Sequence, residues 1–135
     1  MAGFSPRWVT RVTEEDFRPL TAKPEADPRE EGFTCNLISR VRSGSEDLRI
    51  TYCRMLPHQY HIRHHHPNAA EFYFVIAGTC AVYLGGEVVS ASPGTCIYIP
   101  ANTVHAVRNE SESVCELLAG FNRPEYAECG LVYDE

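Results

Sequence analysis

From Phe33 to Phe121 the sequence breaks into short β-rich segments separated by turn residues, and no stretch of ten or more shows helical periodicity. That rhythm leaves little room for any architecture but an all-β one. The expected strands are Phe33–Val41, Leu48–Leu56, His61–His66, Glu71–Ala77, Thr79–Leu84, Glu87–Ala91, Thr95–Ile99, His105–Asn109 and Val114–Phe121. Gly85-Gly86 suits a two-residue hairpin whose central positions both need positive φ. Pro93-Gly94 suits positions i+1 and i+2 of a type II turn. About nine short strands with this spacing indicate a sandwich or small barrel.

Residues 1–32 are less regular. Trp8 to Val12 reads as a strand, Thr13-Glu-Glu-Asp as a capped turn stopped by Pro19, and Pro24 to Gly32 as a polar loop. The expected organisation is therefore an N-terminal arm, 1–32, packing on a barrel, 33–135. A chain of 135 residues suits one domain.

Histidine carries the chemical signal. Five of the six histidines (58, 61, 64, 65, 66) fall within nine residues. Alternate residues of a strand share a face at a spacing of about 6.6 Å, so His64 and His66 can aim both imidazoles at one ion while His65 points away. Pro67-Asn68-Ala69-Ala70 then turns the chain, and Glu71 opens a strand that is otherwise apolar, EFYFVIA. A carboxylate buried there needs a partner, and a cation supplies one. His105 opens a later strand that a closed barrel can fold back onto the other three. The competing reading makes these histidines surface residues and Glu71 a buried acid hydrogen-bonded to a neighbour.

The stretch His64-x-His66-x4-Glu71-x6-Gly78 resembles the first motif of the cupin family, and Gly94-x5-Pro100-x-Asn102-x2-His105-x3-Asn109 is similar to the second. The resemblance implies a double-stranded β-helix, or jelly-roll barrel, with a metal ion at the bottom of a cup. Two positions depart from the pattern: His58 and Asn102 stand where the family usually has glycine. Both residue types are enriched at positive φ, so the turns can survive.

Three imidazoles and one carboxylate, without thiolate, suit one divalent Fe, Mn, Ni, Co or Zn ion per chain. Four protein ligands leave two positions of an octahedron open, which favours chemistry over a closed structural site. Three functions follow. The first is a dioxygenase-type oxidoreductase acting on a small enol, diol, keto or carboxylate substrate. The second is a non-redox isomerase, cyclase, decarboxylase or lyase, and the third a non-catalytic small-molecule or sugar binding module. Glu71 and His61 are the candidate catalytic groups, His61 being either a general acid or base or a solvent-facing loop residue. Tyr52, Arg54, Tyr60, Tyr73, Tyr83 and Tyr98 are candidate pocket residues. Oxalate-type cupins carry a substrate-binding Arg or similar polar residue near the position of His61, and its lack here weakens an oxalate-specific reading.

Composition excludes other classes. Twelve Lys plus Arg against eighteen Asp plus Glu give a net charge of −6, and no basic stripe exists to track nucleic acid. Phe72–Ala77 is the longest apolar run, far short of the ~20 residues of a membrane helix, and the start lacks the apolar core of a signal peptide. No membrane partner and a cytoplasmic location are expected. The six cysteines, evenly and widely spaced beside apolar neighbours, read as reduced and buried. Because the 71–77 strand is apolar on both faces, its outer face should be covered by the arm or by a second subunit, and a homodimer is the favoured partner state.

Overall fold

The computed structural model describes residues 3–135, so the first two residues of the expected arm lie outside the described residues. Among the described residues eleven strands form two antiparallel sheets: β1 Arg18–Pro19, β2 Phe33–Ile38, β3 Arg49–Met55, β4 Tyr60–His65, β5 Glu71–Ala77, β6 Cys80–Leu84, β7 Glu87–Ala91, β8 Cys96–Ile99, β9 His105–Arg108, β10 Cys115–Phe121 and β11 Val132–Tyr133. One sheet runs β1-β2-β3-β10-β5-β8 and the other β11-β4-β9-β6-β7. The expected strands β5 and β7 have the predicted bounds, and the others differ by one to three residues at an end.

Turn chemistry explains most of these limits. Gly85 and Gly86 have φ of 56° and 100°, which closes the β6–β7 hairpin with Leu84 opposite Glu87. Gly94 has φ 91°, and the Thr95 N–H donates to the Ser92 carbonyl at 3.0 Å, as the type II turn requires. Among the described residues, His58 (φ 67°) and Asn102 (φ 69°) alone adopt positive φ without being glycine. These are the two positions where this chain departs from the cupin motifs, so the backbone keeps the turn that glycine usually supplies.

The N-terminal region differs from expectation. Trp8 to Val12 forms no strand. Instead Pro6–Trp8 is a 3-10 turn capped by the Ser5 side chain, and Trp8 stays half exposed. The capped turn is present at Glu14–Asp16, with the Thr13 N–H donating to the Asp16 carboxylate at 2.7 Å. The expected strand Phe33–Val41 ends at Ile38, because Ser39 caps the short helix α1, Arg40–Ser43. A second short helix, α2 (Tyr126–Cys129), and β11 were absent from the sequence reading. Both pack near the histidine–glutamate cluster described below.

The core lies between the sheets, where Tyr73, Val75, Val82, Ile99, Val107, Leu117 and Phe121 meet. All six cysteines are free; four are buried, Cys53 is partly buried, and Cys96 departs from expectation by standing exposed on β8. The outer face of β5 remains open, with Phe74 37% and Ile76 40% exposed. The arm covers β3 instead, where Phe17 stacks edge-on against Tyr52 at 5.5 Å. No helix among the described residues is long and apolar enough to cross a membrane.

Candidate metal centre

Strand register assembles the site. His64 of β4 lies directly opposite His105 of β9, and His66 follows two residues on, just past the strand end. Glu71 begins β5 in the other sheet, and the alternation of that strand turns Glu71, Tyr73 and Val75 inward. The cluster therefore joins both sheets. The ligand-capable atoms of His64, His66, Glu71 and His105 all lie within 4.8 Å of one another, and all four residues are buried.

Hydrogen bonding orients each ring. The Nδ1 of His64 lies 2.7 Å from the Ile62 carbonyl, that of His66 2.6 Å from the Gly130 carbonyl, and that of His105 2.8 Å from the Thr103 carbonyl. A carbonyl only accepts, so every Nδ1 donates, and in its neutral form each ring then presents an Nε2 lone pair inward. Those three Nε2 atoms and Glu71 Oε1 are buried without a hydrogen-bond partner. His105 Nε2 is 2.8 Å from Glu71 Oε1, an approach that requires a proton or a cation between the two atoms. With all three rings neutral, four converging acceptors are unfavourable by several kcal/mol unless a cation joins them. The residues present thus fit a divalent transition ion.

Burial holds the His64 imidazole well below its usual pKa, with the neighbouring imidazoles adding to the effect, and burial likewise lowers His66. For His105 burial also pulls downward, but the Glu71 carboxylate and the Thr103 carbonyl outweigh it and the net direction is upward. Neutral imidazole is the form of His64 and His66 that could ligate a metal ion.

A cavity of about 50 Å³ adjoins the cluster, lined among others by His61, His66, Glu71, Tyr73, Lys23 and Tyr126. His61 is part of β4 and not of a solvent-facing loop. The register of β4 against β9 shifts between His61 and His64, and His61 reaches the cavity with Nδ1 2.5 Å from Glu30 Oε2. Glu30, its side chain 1% exposed, also accepts the Ile62 N–H at 2.8 Å. Of the six expected pocket residues only Tyr73 lines this cavity, and its hydroxyl is buried without a partner.

The other five are corrected by strand parity. Thr51, Cys53 and Met55 of β3 face inward, which turns Tyr52 and Arg54 to the outer face, where Arg54 bridges Glu14 and Glu116. Tyr60 bonds Glu135 and lies beneath Arg108, Tyr83 neighbours Arg63, and Tyr98 is 69% exposed. Sequence reasoning missed the contributions of Leu20, Lys23 and Glu30 from the arm and of Tyr126 and Gly130 from the C-terminal segment. Their roles depend on contacts across the fold, which local pattern does not encode.

Fold and site together define a double-stranded β-helix barrel with a centre of three histidines and one carboxylate. The model of the Cupin domain family matches residues 51–121, more than half of the chain, and the chain belongs to that family. Quercetin 2,3-dioxygenase of Bacillus subtilis (strain 168) is 28% identical over 76 residues, 54% of this chain and 23% of that protein. The chain spans between 11% and 51% of the lengths of the curated relatives it matches. Among solved structures, the polyketide cyclase RemF from Streptomyces resistomycificus superposes with a TM-score of 0.72 at 20% identity, covering 93% of this chain and 85% of that one. A double-stranded β-helix protein from Klebsiella pneumoniae gives 0.70 at 18%, covering 93% and 98%. At these identities the two structures speak for the fold alone.

Proposed function

We propose that this cupin is a metal-dependent enzyme that acts on a small, oxygen-rich substrate, with His64, His66, Glu71 and His105 as the metal ligands. The carrying observation is the convergence of four buried, partnerless acceptor atoms beside a cavity. A divalent transition ion bound there supplies Lewis acidity and, where its redox state can change, access to dioxygen. The chain's own groups define the rest of the site. Tyr73 offers a free hydroxyl to a bound oxygen, His61 and Glu71 are placed to hold a proton, and the Glu30 carboxylate lies 2.5 Å from the His61 Nδ1. The apolar lining of Met55, Val107, Leu117 and Phe121 keeps water out.

The sequence relation to a quercetin dioxygenase supports oxygen-dependent chemistry as the first form of this reading. The His61–Glu30 contact favours a second, a non-redox isomerisation, cyclisation or decarboxylation that needs only proton movement. The cavity of about 50 Å³ favours a small substrate in either reaction. Oxygen-electrode assays of metal-loaded protein with small chelating hydroxy and keto acids test the reading. Oxygen uptake on turnover supports the first form, anaerobic turnover with zinc the second, and no turnover with any metal contradicts both.

A second copy of the chain is the proposed cover for Phe74, Ile76 and Tyr98 on the open sheet face. Six unpaired cysteines support a reducing compartment, the cytoplasm.

A further inference from the structure

Lys23 is the only lysine of the chain; the other eleven of its twelve basic residues are arginine. It follows the 3-10 turn Leu20–Ala22 in the N-terminal arm, and its ammonium lies 4.2 Å from the centroid of the Tyr126 ring. Arg49, 4% exposed, sits 5.4 Å from the same centroid. Lys23, Thr34 and Tyr126 line both the inner cavity beside His66 and Glu71 and an outer cleft of about 390 Å³ between arm and barrel, which Arg49 also lines. This group therefore forms the neck between the cleft and the metal ligands.

Neither cation of the neck touches a carboxylate, and Glu125, which helps to line the outer cleft, acts on Arg49 only from a distance. Among the described residues no carboxylate forms an ion pair with either cation. Arg49 donates to the neutral Asn36 Oδ1 at 2.8 Å, while its buried Nε has no partner. Burial pulls both groups below their ordinary pKa values, and for Lys23 the Arg49 charge is the next cause. Glu71 opposes this from inside the cavity, but its charge is committed once an ion is bound. Two like charges beside a shared ring, Arg49 buried and Lys23 partly buried, carry a penalty that an anion would reduce. The Tyr126 face supports the Lys23 ammonium through its π-cloud without occupying its three N–H donors. A compact, strongly hydrated ammonium is also the cation that fits a narrow neck, in a chain that elsewhere uses arginine.

We propose that Lys23, backed by Arg49, is the anion receptor of the cup, so that the substrate carries a carboxylate for Lys23 together with oxygens that reach the metal. This rests on the reading of the centre as a metal-dependent enzyme site, and it makes Lys23 a specificity-determining residue contributed by the arm.

The test uses the full chain without a histidine tag and malonate as probe, with neutral malonamide as control. Because Lys23 carries the only side-chain amine, its acetylation by acetic anhydride is read at a single site by mass spectrometry. Malonate is expected to slow that acetylation in metal-loaded and metal-free protein alike, and malonamide to leave it unchanged. Calorimetric titration should show Lys23→Met weakening malonate about tenfold or more, the loss expected for one charge-assisted hydrogen bond, with metal content unaltered. Equal protection by malonamide, or equal malonate affinity in wild type and Lys23→Met, would overturn the proposal. The labelling result needs no variant and stands even if Lys23→Met fails to fold. Metal content, measured on the same samples, reports separately on the metal reading: malonate bound at Lys23 in a protein that takes up no metal would contradict the enzyme site and leave the receptor intact.

Discussion

Replacing Glu30 by alanine removes the acceptor of a buried backbone donor, the Ile62 N–H at 2.8 Å, in a residue that is itself 4% exposed. An orphaned donor of this kind is worth about 1–3 kcal/mol, and the gap left by the side chain adds roughly 1 kcal/mol. An unfolding entropy of about 2.1 cal/mol/K per residue gives roughly 0.28 kcal/mol/K for 135 residues, so each kcal/mol shifts the melting temperature by about 3.5 °C. Glu30→Ala is therefore expected to melt about 7–14 °C below wild type. Glu30→Gln keeps a carbonyl oxygen for Ile62 and offers an amide N–H to His61 Nδ1, so its loss should stay within about 1 kcal/mol, or 3–4 °C. Thermal unfolding followed by circular dichroism on metal-depleted protein checks this without a contribution from bound ion. Equal losses for the two variants would show that the Glu30 charge matters more than the hydrogen bond, and an unshifted Glu30→Ala would refute the reasoning.

Three further outcomes follow from the same structure. A Cβ at Gly78 would stand 2.3 Å from the Val114 carbonyl oxygen at φ 71°, whereas at Gly94 it would meet nothing within 4 Å. Gly78→Ala should thus lose about 3 kcal/mol or more and Gly94→Ala only about 1–2 kcal/mol, compared by chemical denaturation. Burial, with Glu135 beside Tyr60 and Glu30 beside Tyr133, raises both phenols to about 12. A raised acid contributes stability fully below its unfolded value near 10 and loses it as pH rises toward 12, so tyrosinate absorbance at 295 nm should grow together with loss of structure in that window. Phe74→Glu combined with Ile76→Glu is expected to convert the proposed dimer to a monomer by light scattering, and a wild type that is monomeric at all concentrations would remove the dimer from the account.

The convergence of the four side chains was legible in the sequence because strand periodicity and motif spacing are local: His64, His66, Glu71 and His105 needed only a register to meet. The cup wall was not. One residue of uncertainty in parity exchanges inner and outer faces, which is why Tyr73 lines the cavity while Tyr52, Arg54, Tyr60, Tyr83 and Tyr98 lie elsewhere. His61 reaches the cavity only because the β4–β9 register shifts beside it, an irregularity without a local signature. The arm was harder still. Trp8 to Val12 has strand-like composition but finds no neighbouring edge to pair with, whereas Lys23 and Glu30 gain their places from partners a hundred residues away in Tyr126 and Tyr133.

Metal content bears most directly on the centre. Untagged wild-type protein, His64→Ala and His105→Ala should be analysed by elemental mass spectrometry, with unfolding followed before and after chelation. About one divalent transition ion per chain is expected in wild type and almost none in either variant, and at free metal near a hundred times Kd the ion should stabilise wild type by about 2.7 kcal/mol. A wild type that retains no metal and is indifferent to added ions, or variants that retain it in full, would contradict the assignment of these four side chains.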